Sequence, residues 1–375
     1  MVRGRSLRIL WFNWRCWLNP QAGGAEVHVK EIAKRWVKLG HEITLFCGKY
    51  HGCKEHEELE GVEVIRKGYQ YSVYLFAAKE YIFSLRKRNY SIVIDDINGV
   101  PFFTPLYVRE HKIAIMHHLV KDIFFKELPF DKAILGYAAE RIIPLVYRNI
   151  PFLAVSDSTK QDLAHFGIPQ RGIKIVHNGI DHEVFTPELR RKSSYPHVVY
   201  VGRIKRYKNL DHLIIAFSLL VNRLKTEGRS NKLTIAGKGD YIELKGLAKR
   251  LGVESQVDFL GEISDEEKVR LLQSAWVFVT TSTREGWGLT TVEAMACGTP
   301  VIAYNVPGLT DSSLNGKTGF LVPYGKTDEM TECLAQVLCD ELLRKELSMN
   351  ATNWARQFNW DKTAKESMDF LKSHC

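Results

Sequence analysis

Trp276-Val277-Phe278-Val279-Thr280-Thr281-Ser282-Thr283-Arg284-Glu285-Gly286-Trp287-Gly288-Leu289-Thr290-Thr291-Val292-Glu293-Ala294-Met295-Ala296-Cys297-Gly298 holds three kinds of structure in one short stretch. Trp276–Thr280 is an unbroken apolar run of strand length. Thr290–Cys297 reads as a two-turn helix, stopped by Gly298 with Pro300 just beyond. The loop between them therefore lies at the carboxyl edge of a strand, where open α/β sheets bind ligands. Gly286 and Gly288 let the backbone approach a ligand closely. The helix start, at Leu289 and Thr290, offers free N–H groups and a positive dipole suited to a diphosphate. Carboxylates repel phosphate but accept hydroxyl hydrogen bonds well. Glu285 on the loop thus suits sugar hydroxyls, and Glu293, a turn into the helix, suits the two hydroxyls of a ribose.

A second segment has the same placement. Val201-Gly202-Arg203-Ile204-Lys205-Arg206-Tyr207-Lys208-Asn209 follows the strand His197–Val201 and precedes a helix near 209–225. Arg203 and Lys208 could neutralise a diphosphate as a metal ion would, Arg as a fork and Lys as a point charge. Lys205 and Arg206 read as solvated.

Moving outward, strands and helices alternate along the whole chain, which predicts parallel sheets covered by helices. In the first half the strands are Leu7–Asn13, His41–Cys47, Ser91–Asp95, Lys112–Met116, Pro151–Val155 and Ile173–Val176. Glu26–Leu39 is a helix with Val29, Ile32, Trp36 and Leu39 on one face, and further helices fall near 75–88, 132–148 and 157–166. The pattern weakens over 182–196, the expected linker. Strands at 232–236, 257–260, 301–304 and 319–322 then alternate with helices near 240–251, 265–274 and 327–340.

Together these segments resemble the retaining glycosyltransferases of the GT-B fold that carry an E-x7-E pattern (glycosyltransferase family 4-like, glycosyl transferases group 1). Gly23-Gly24-Ala25-Glu26, Val155–Lys160, Val176–Asp181, Gly237-Lys238-Gly239 and Glu293–Val301 extend the resemblance over most of the chain. It implies two Rossmann-like domains facing across a cleft: 1–189 on the acceptor side, and 190–360 binding the nucleotide-sugar. The tail, about 361–375, would pack back on the first domain. It also implies a donor site made by Gly23, Gly24, Arg203, Lys208, Glu285, Gly286, Trp287, Gly288, Leu289, Thr290 and Glu293. A first-domain histidine is expected near the sugar. His117, directly after the strand Lys112–Met116, takes that place, with His118 as the alternative. The implied reaction moves a hexose, UDP-glucose being the first choice of donor, to a glycan or lipid-linked acceptor. His117, Glu285, Arg203 and Lys208 would act at the reacting centre.

No cofactor or metal is expected. Asp95-Asp96-Ile97-Asn98 is not a D-x-D metal signature, and Cys47, His51, Cys53 and His56 match no standard zinc spacing. A dinucleotide-dependent oxidoreductase is disfavoured because no strand is followed by G-x-G-x-x-G. An epimerase of the same two-domain fold, turning over donor without acceptor, is the closer alternative, and a non-catalytic sugar-binding module the third.

Composition bounds the partners. The 375 residues carry a net charge of +9, and 27 Lys and Arg against 21 Asp and Glu fall in residues 1–190. No run of five like charges or nucleic-acid signature accompanies this excess, so no nucleic-acid partner is expected. Tyr69–Phe76 and Ile123–Lys126, near Arg86-Lys87-Arg88, would suit an anionic membrane surface. The start MVRGRSLRIL reads as a first strand rather than a signal peptide, and no stretch of 18 apolar residues occurs. The expected location is cytoplasmic, peripheral on the inner membrane face where the acceptor is lipid-linked.

Overall fold

A computed structural model describes residues 6–224 and 231–375. The chain divides into two compact units, one running to Gly179 and regaining Trp360–Cys375, the other spanning Ile180–Asn359.

The first unit is built on an eight-stranded sheet. Its elements are β1 (Arg8–Phe12), α1 (Gly24–Lys38), β2 (Glu42–Cys47), β3 (His56–Leu59), β4 (Val62–Arg66), α2 (Val73–Phe83), β5 (Ile92–Ile97), β6 (Lys112–Met116), α3 (Ile123–Glu127), α4 (Phe130–Arg141), α5 (Ile143–Val146), β7 (Phe152–Ala154), α6 (Asp157–Phe166) and β8 (Ile173–Ile175). The strand order is β3-β4-β2-β1-β5-β6-β7-β8, parallel except for β3 against β4. The central strands are mostly apolar because helices cover both faces, with Asp95 and Asp96 of β5 the buried carboxylates among them. The order reverses between β1 and β5, so this sheet's ligand crevice opens at their carboxyl ends.

Four features differ from the sequence reading. The β3–β4 hairpin escapes a hydrophobicity scan because β3 is His56-Glu57-Glu58-Leu59, a charged edge strand of the kind that resists unwanted pairing. Glu60 and Gly61 turn it with positive φ at both positions. The helix near 75–88 ends at Phe83, and Leu85–Arg88 forms a separate 3₁₀ turn closed by Asn89 in the left-handed region. The helix near 132–148 is two: α4 starts after Pro129, and α5 takes Pro144 in its first turn. Leu39, placed on the inner face of α1, lies beyond the helix end and is exposed.

The second unit holds β9 (His197–Val201), α7 (Leu210–Leu224), β10 (Lys232–Ala236), α8 (Ile242–Arg250), β11 (Val257–Gly261), α9 (Asp265–Ser274), β12 (Val277–Thr280), α10 (Leu289–Ala296), β13 (Val301–Tyr304), α11 (Leu309–Ser312), β14 (Gly319–Val322), α12 (Thr327–Cys339) and α13 (Glu341–Ala355). Its strand order, β11-β10-β9-β12-β13-β14, is wholly parallel. The order reverses between β9 and β12. Residues 182–196, read as a linker, belong to this unit, which begins at Ile180. Ile180 N–H bonds Phe358 O at 3.3 Å, Gln273 Nε2 donates to Thr186 O at 2.8 Å, and Trp276 Nε1 donates to Ser193 O at 2.8 Å. A polar segment can thus be structured by backbone hydrogen bonds that its own hydrophobic pattern does not announce.

The last helix, α14 (Trp360–Lys372), packs on α1 in the first unit. Trp36 Nε1 donates to Ala364 O at 2.9 Å, while Met368 and Leu371 enter the same core as Trp11 and Ile32.

Candidate active site

The two cation- and carboxylate-bearing loops follow β9 and β12, the strands that flank the reversal point of the second sheet. They are stitched together by polar bonds. Thr281 Oγ1 donates to Lys208 O at 2.7 Å, Asn209 Nδ2 donates to Thr281 O at 2.8 Å, and Thr283 N–H bonds Tyr207 O at 2.8 Å. Asn209, with φ +45, turns the first loop into α7. Sequence reading missed its role, although an Asn at a loop-to-helix junction is a recognised turn signal.

Lys208 and Glu285 form an ion pair inside this arrangement, and Ser282 Oγ donates to the same Oε1 at 2.6 Å. Lys208 is largely withdrawn from water. Burial alone would disfavour its ammonium, but the Glu285 carboxylate, with Tyr207 and Tyr200 nearby, outweighs this and raises its pKa. The lysine is held as a cation throughout the neutral range. Lys208 is therefore not a loose surface charge but a positioned one. Arg203 is exposed on the same loop, and its carbonyl accepts the Tyr200 hydroxyl at 3.0 Å.

Behind Glu285 stands the loop after β13. Glu285 N–H bonds Pro307 O at 3.1 Å, and a Cβ on Gly308 would lie 2.2 Å from Glu285 O. Gly308 also has φ +85, so glycine is required there both by conformation and by the close approach. Gly288, φ +72, is the N-cap of α10, and the first N–H groups of Leu289 and Thr290 follow it.

Glu293 is buried on α10 and pairs with Lys268 of α9, whose ammonium also sits 5.3 Å from the Phe185 ring centroid. Lys268 carried no sequence signal; only the packing of α9 against α10 brings it there. Trp287, grouped with the donor contacts, turns its ring inward. It is buried edge-on against Phe358, with centroids 4.9 Å apart. Its side chain anchors the loop, which leaves its backbone as the part available to a ligand.

In the first unit, β5 sends its two aspartates to opposite faces, as alternate strand residues must go. Asp95 is an internal anchor, accepting Phe102 N–H at 3.1 Å, Thr104 Oγ1 at 2.8 Å and Tyr147 OH at 2.5 Å. Asp96 accepts Trp11 Nε1 at 2.9 Å and meets His117 Nε2 at 2.8 Å. His117 is thus oriented by a buried carboxylate at the carboxyl edge of β6, while its carbonyl accepts Thr159 Oγ1 at 3.0 Å. His28, from α1, sets its ring perpendicular to that of His117 with centroids 5.1 Å apart, and Asn178 holds its Nδ1 at 2.7 Å. Burial, with the neighbouring His117, lowers the His28 pKa to about 4, so its ring is neutral. His28 and Asp96 had no distinguishing sequence signal.

Gly23 caps α1 with its N–H bound to Glu26 Oε2 at 2.6 Å. That donor is therefore engaged within the helix start. A Cβ on Gly24 would meet nothing within 4 Å, so packing within the unit does not demand glycine there. Among the described residues no group of three or more His, Cys, Asp or Glu could hold a metal ion, the Cys47–His56 segment included.

Two family profiles match the chain. Glycosyltransferase Family 4 covers residues 22–184, and Glycosyl transferases group 1 covers 181–354. An uncharacterized glycosyltransferase of Methanocaldococcus jannaschii is 26% identical over 93% of this chain and 94% of its own. D-inositol 3-phosphate glycosyltransferase of Mycobacteroides abscessus is 34% identical over 62% of this chain, an alignment spanning 53% of that enzyme's length. Among solved structures, sucrose-phosphate synthase from Thermosynechococcus elongatus superposes with TM-score 0.83 at 19% identity, covering 98% of this chain and 99% of its own. Anabaena HepE in complex with UDP and glucose gives 0.79 at 18%, covering 98% and 100%. An epimerase finds no support among these relatives.

Proposed function

Since this chain belongs to the GT-B glycosyltransferases of the group 1 and family 4 kind, we propose that it moves a hexose from a nucleotide-sugar to an acceptor hydroxyl with retention at the anomeric carbon, without a metal ion. The donor we assign first is UDP-glucose, in keeping with the UDP and glucose bound by Anabaena HepE. The acceptor we assign is a glycan or lipid-linked saccharide, with the enzyme on the cytoplasmic face of the membrane.

The observation that carries this reading is the locked Lys208–Glu285 pair at the reversal point of the second sheet. The pair sets a fixed cation beside a carboxylate, so the loop offers one group for phosphate oxygens and one for sugar hydroxyls. Arg203 and Lys208 would receive the charge that develops on the departing diphosphate, with the N–H groups at the start of α10 alongside. Glu293 would accept the ribose hydroxyls. His117, oriented by Asp96, would contact the donor sugar. In the reaction the acceptor oxygen bonds to the anomeric carbon as the bond to the diphosphate oxygen breaks. The acceptor proton passes to the leaving phosphate on the same face. No side-chain nucleophile is required.

The test is a panel of UDP-glucose, GDP-mannose and UDP-N-acetylglucosamine, with and without a lipid extract, followed by mass detection of nucleotide and product. Acceptor-dependent release of UDP, unchanged by EDTA, is the expected result. Donor turned over equally without acceptor, or activity lost to EDTA and restored by Mg²⁺ or Mn²⁺, would overturn it.

A further inference from the structure

In the first unit α4 is packed the wrong way round for an ordinary surface helix. Its inward face is Ala133, Gly136 and Glu140, small or polar residues. Gly136 lies so close to Phe124 that a Cβ would come within 2.7 Å of that ring, and Glu140 accepts the Val120 and Lys121 N–H groups. Its outward face instead carries large apolar side chains among charges: Phe130 is 73% exposed and Leu135 70%, beside the exposed Asp131, Lys132 and Arg141, with Leu145 of α5 at 83%. A helix normally buries its apolar stripe and shows its polar one to water. Here the close, small-residue contact with α3 fixes the helix with its large side chains facing out.

A second helix continues the surface. Leu75, 76% exposed, and Phe83, 69% exposed, flank the exposed Lys79 on α2, and Arg86 and Lys87 follow directly. The Lys132 ammonium of α4 lies 4.8 Å from the ring centroid of Tyr71, which stands two residues before the start of α2. Across residues 67–89 and 121–148 there are ten Lys and Arg against five Asp and Glu, a two-to-one excess that the whole chain, at 52 to 43, does not show. Exposed aliphatic and phenyl groups interleaved with long cations, and Tyr at the rim, form the composition that settles at the boundary of headgroups and acyl chains. The excess of cations favours an anionic leaflet. No helix among the described residues is long and apolar enough to cross a membrane, so attachment would be lateral.

We propose that the outer faces of α2 and α4–α5 form a membrane-docking surface that inserts Leu75, Phe83, Phe130 and Leu135 into the interface of an anionic bilayer. It rests on the lipid-linked acceptor reading above, and it names where the chain would meet the lipid.

The test is flotation of the full chain, without donor or acceptor, on vesicles of phosphatidylcholine alone and of phosphatidylcholine with phosphatidylglycerol. Binding to the anionic vesicles is expected, at least tenfold weaker on neutral ones. In Leu75→Ser/Phe83→Ser and Phe130→Ser/Leu135→Ser the half-saturating lipid concentration should rise at least tenfold, with the thermal midpoint little changed because these side chains are mostly exposed. No binding to anionic vesicles, or binding unaltered in both variants, would overturn the proposal. A dimer in solution that the same substitutions dissociate, with no vesicle binding, would show the surface to be a self-contact instead, and would also overturn it. Because this measurement needs no turnover, its failure leaves the transfer reaction standing on a soluble acceptor. Failure of the donor panel likewise leaves the lipid binding intact.

Discussion

Replacing Lys208 by Met separates the structural from the chemical work of the Lys208–Glu285 pair. The side chains are 13% and 18% exposed, so each charge is largely desolvated and depends on the other. Removing one partner of such a pair leaves an uncompensated charge, at a cost of about 3–5 kcal/mol. Ser282 keeps one hydrogen bond to the stranded carboxylate, which places the expected loss toward the lower end of that range. For a unit the size of Ile180–Asn359, about 2–4 °C per kcal/mol gives a drop in Tm of roughly 6–20 °C. If Lys208 also receives charge from the departing diphosphate, turnover should fall by about 10²–10³, the usual loss for one preorganised donor. The double variant Lys208→Met/Glu285→Gln removes the stranded charge as well. Calorimetry should then show most of the lost stability regained, while nucleotide release under saturating donor stays low. Recovery of turnover in the double variant, or near-normal turnover in Lys208→Met, would refute the phosphate role and leave the pair as a structural brace.

Other perturbations test the remaining parts. His117→Ala should cut turnover by orders of magnitude while nucleotide affinity, read by calorimetric titration, stays nearly unchanged; near-normal turnover would remove His117 from the site. Glu293→Ala should weaken UDP binding by about 10–100-fold, the worth of charged hydrogen bonds of about 1.5–3 kcal/mol, and equal UDP affinity would discount the ribose contact. Gly308→Ala drives a methyl toward Glu285 O and should lose both activity and about 1–3 kcal/mol. Gly316→Ala, with φ +70 but open space around it, is the control for backbone cost alone, and equal activity losses in the two would refute the positioning argument. Finally, His28 and His197 are both lowered to about 4, chiefly by burial. The unfolded chain takes up protons near pH 6.5 while these folded rings do not. Stability should therefore be full above about pH 6.5 and decline toward pH 4, by up to about 3 kcal/mol per histidine. Denaturant melts of His28→Gln and His197→Gln should show a shallower decline; slopes equal to wild type would show the rings are not held neutral.

Much of the architecture could be read in advance because buried parallel strands leave a plain signature. His197–Val201, Lys232–Ala236, Val301–Tyr304 and Gly319–Val322 are strands with the bounds the pattern predicts. Where the pattern failed, packing or polar bonding had replaced hydrophobicity as the organising force. The edge strand His56–Leu59 is charged, and residues 180–196 are held by backbone hydrogen bonds to groups distant in the chain. Of the candidate site, Glu285, Arg203 and Lys208 were legible from chemistry on loops at strand ends and Glu293 from its place a turn into the following helix, whereas His117 rested on the family resemblance.

What the sequence determined by itself was the set of local elements and the residue types at their carboxyl edges, since periodicity, turn chemistry and charge are properties of neighbours along the chain. Which groups meet was decided only by the tertiary structure. Lys208 finds Glu285 because β9 and β12 lie side by side at a strand-order reversal, Glu293 finds Lys268 because α9 packs on α10, and His117 finds Asp96 because β5 and β6 pair in register. Each contact joins residues far apart in the chain, and the pairing is fixed by sheet order and helix packing, which no local pattern encodes.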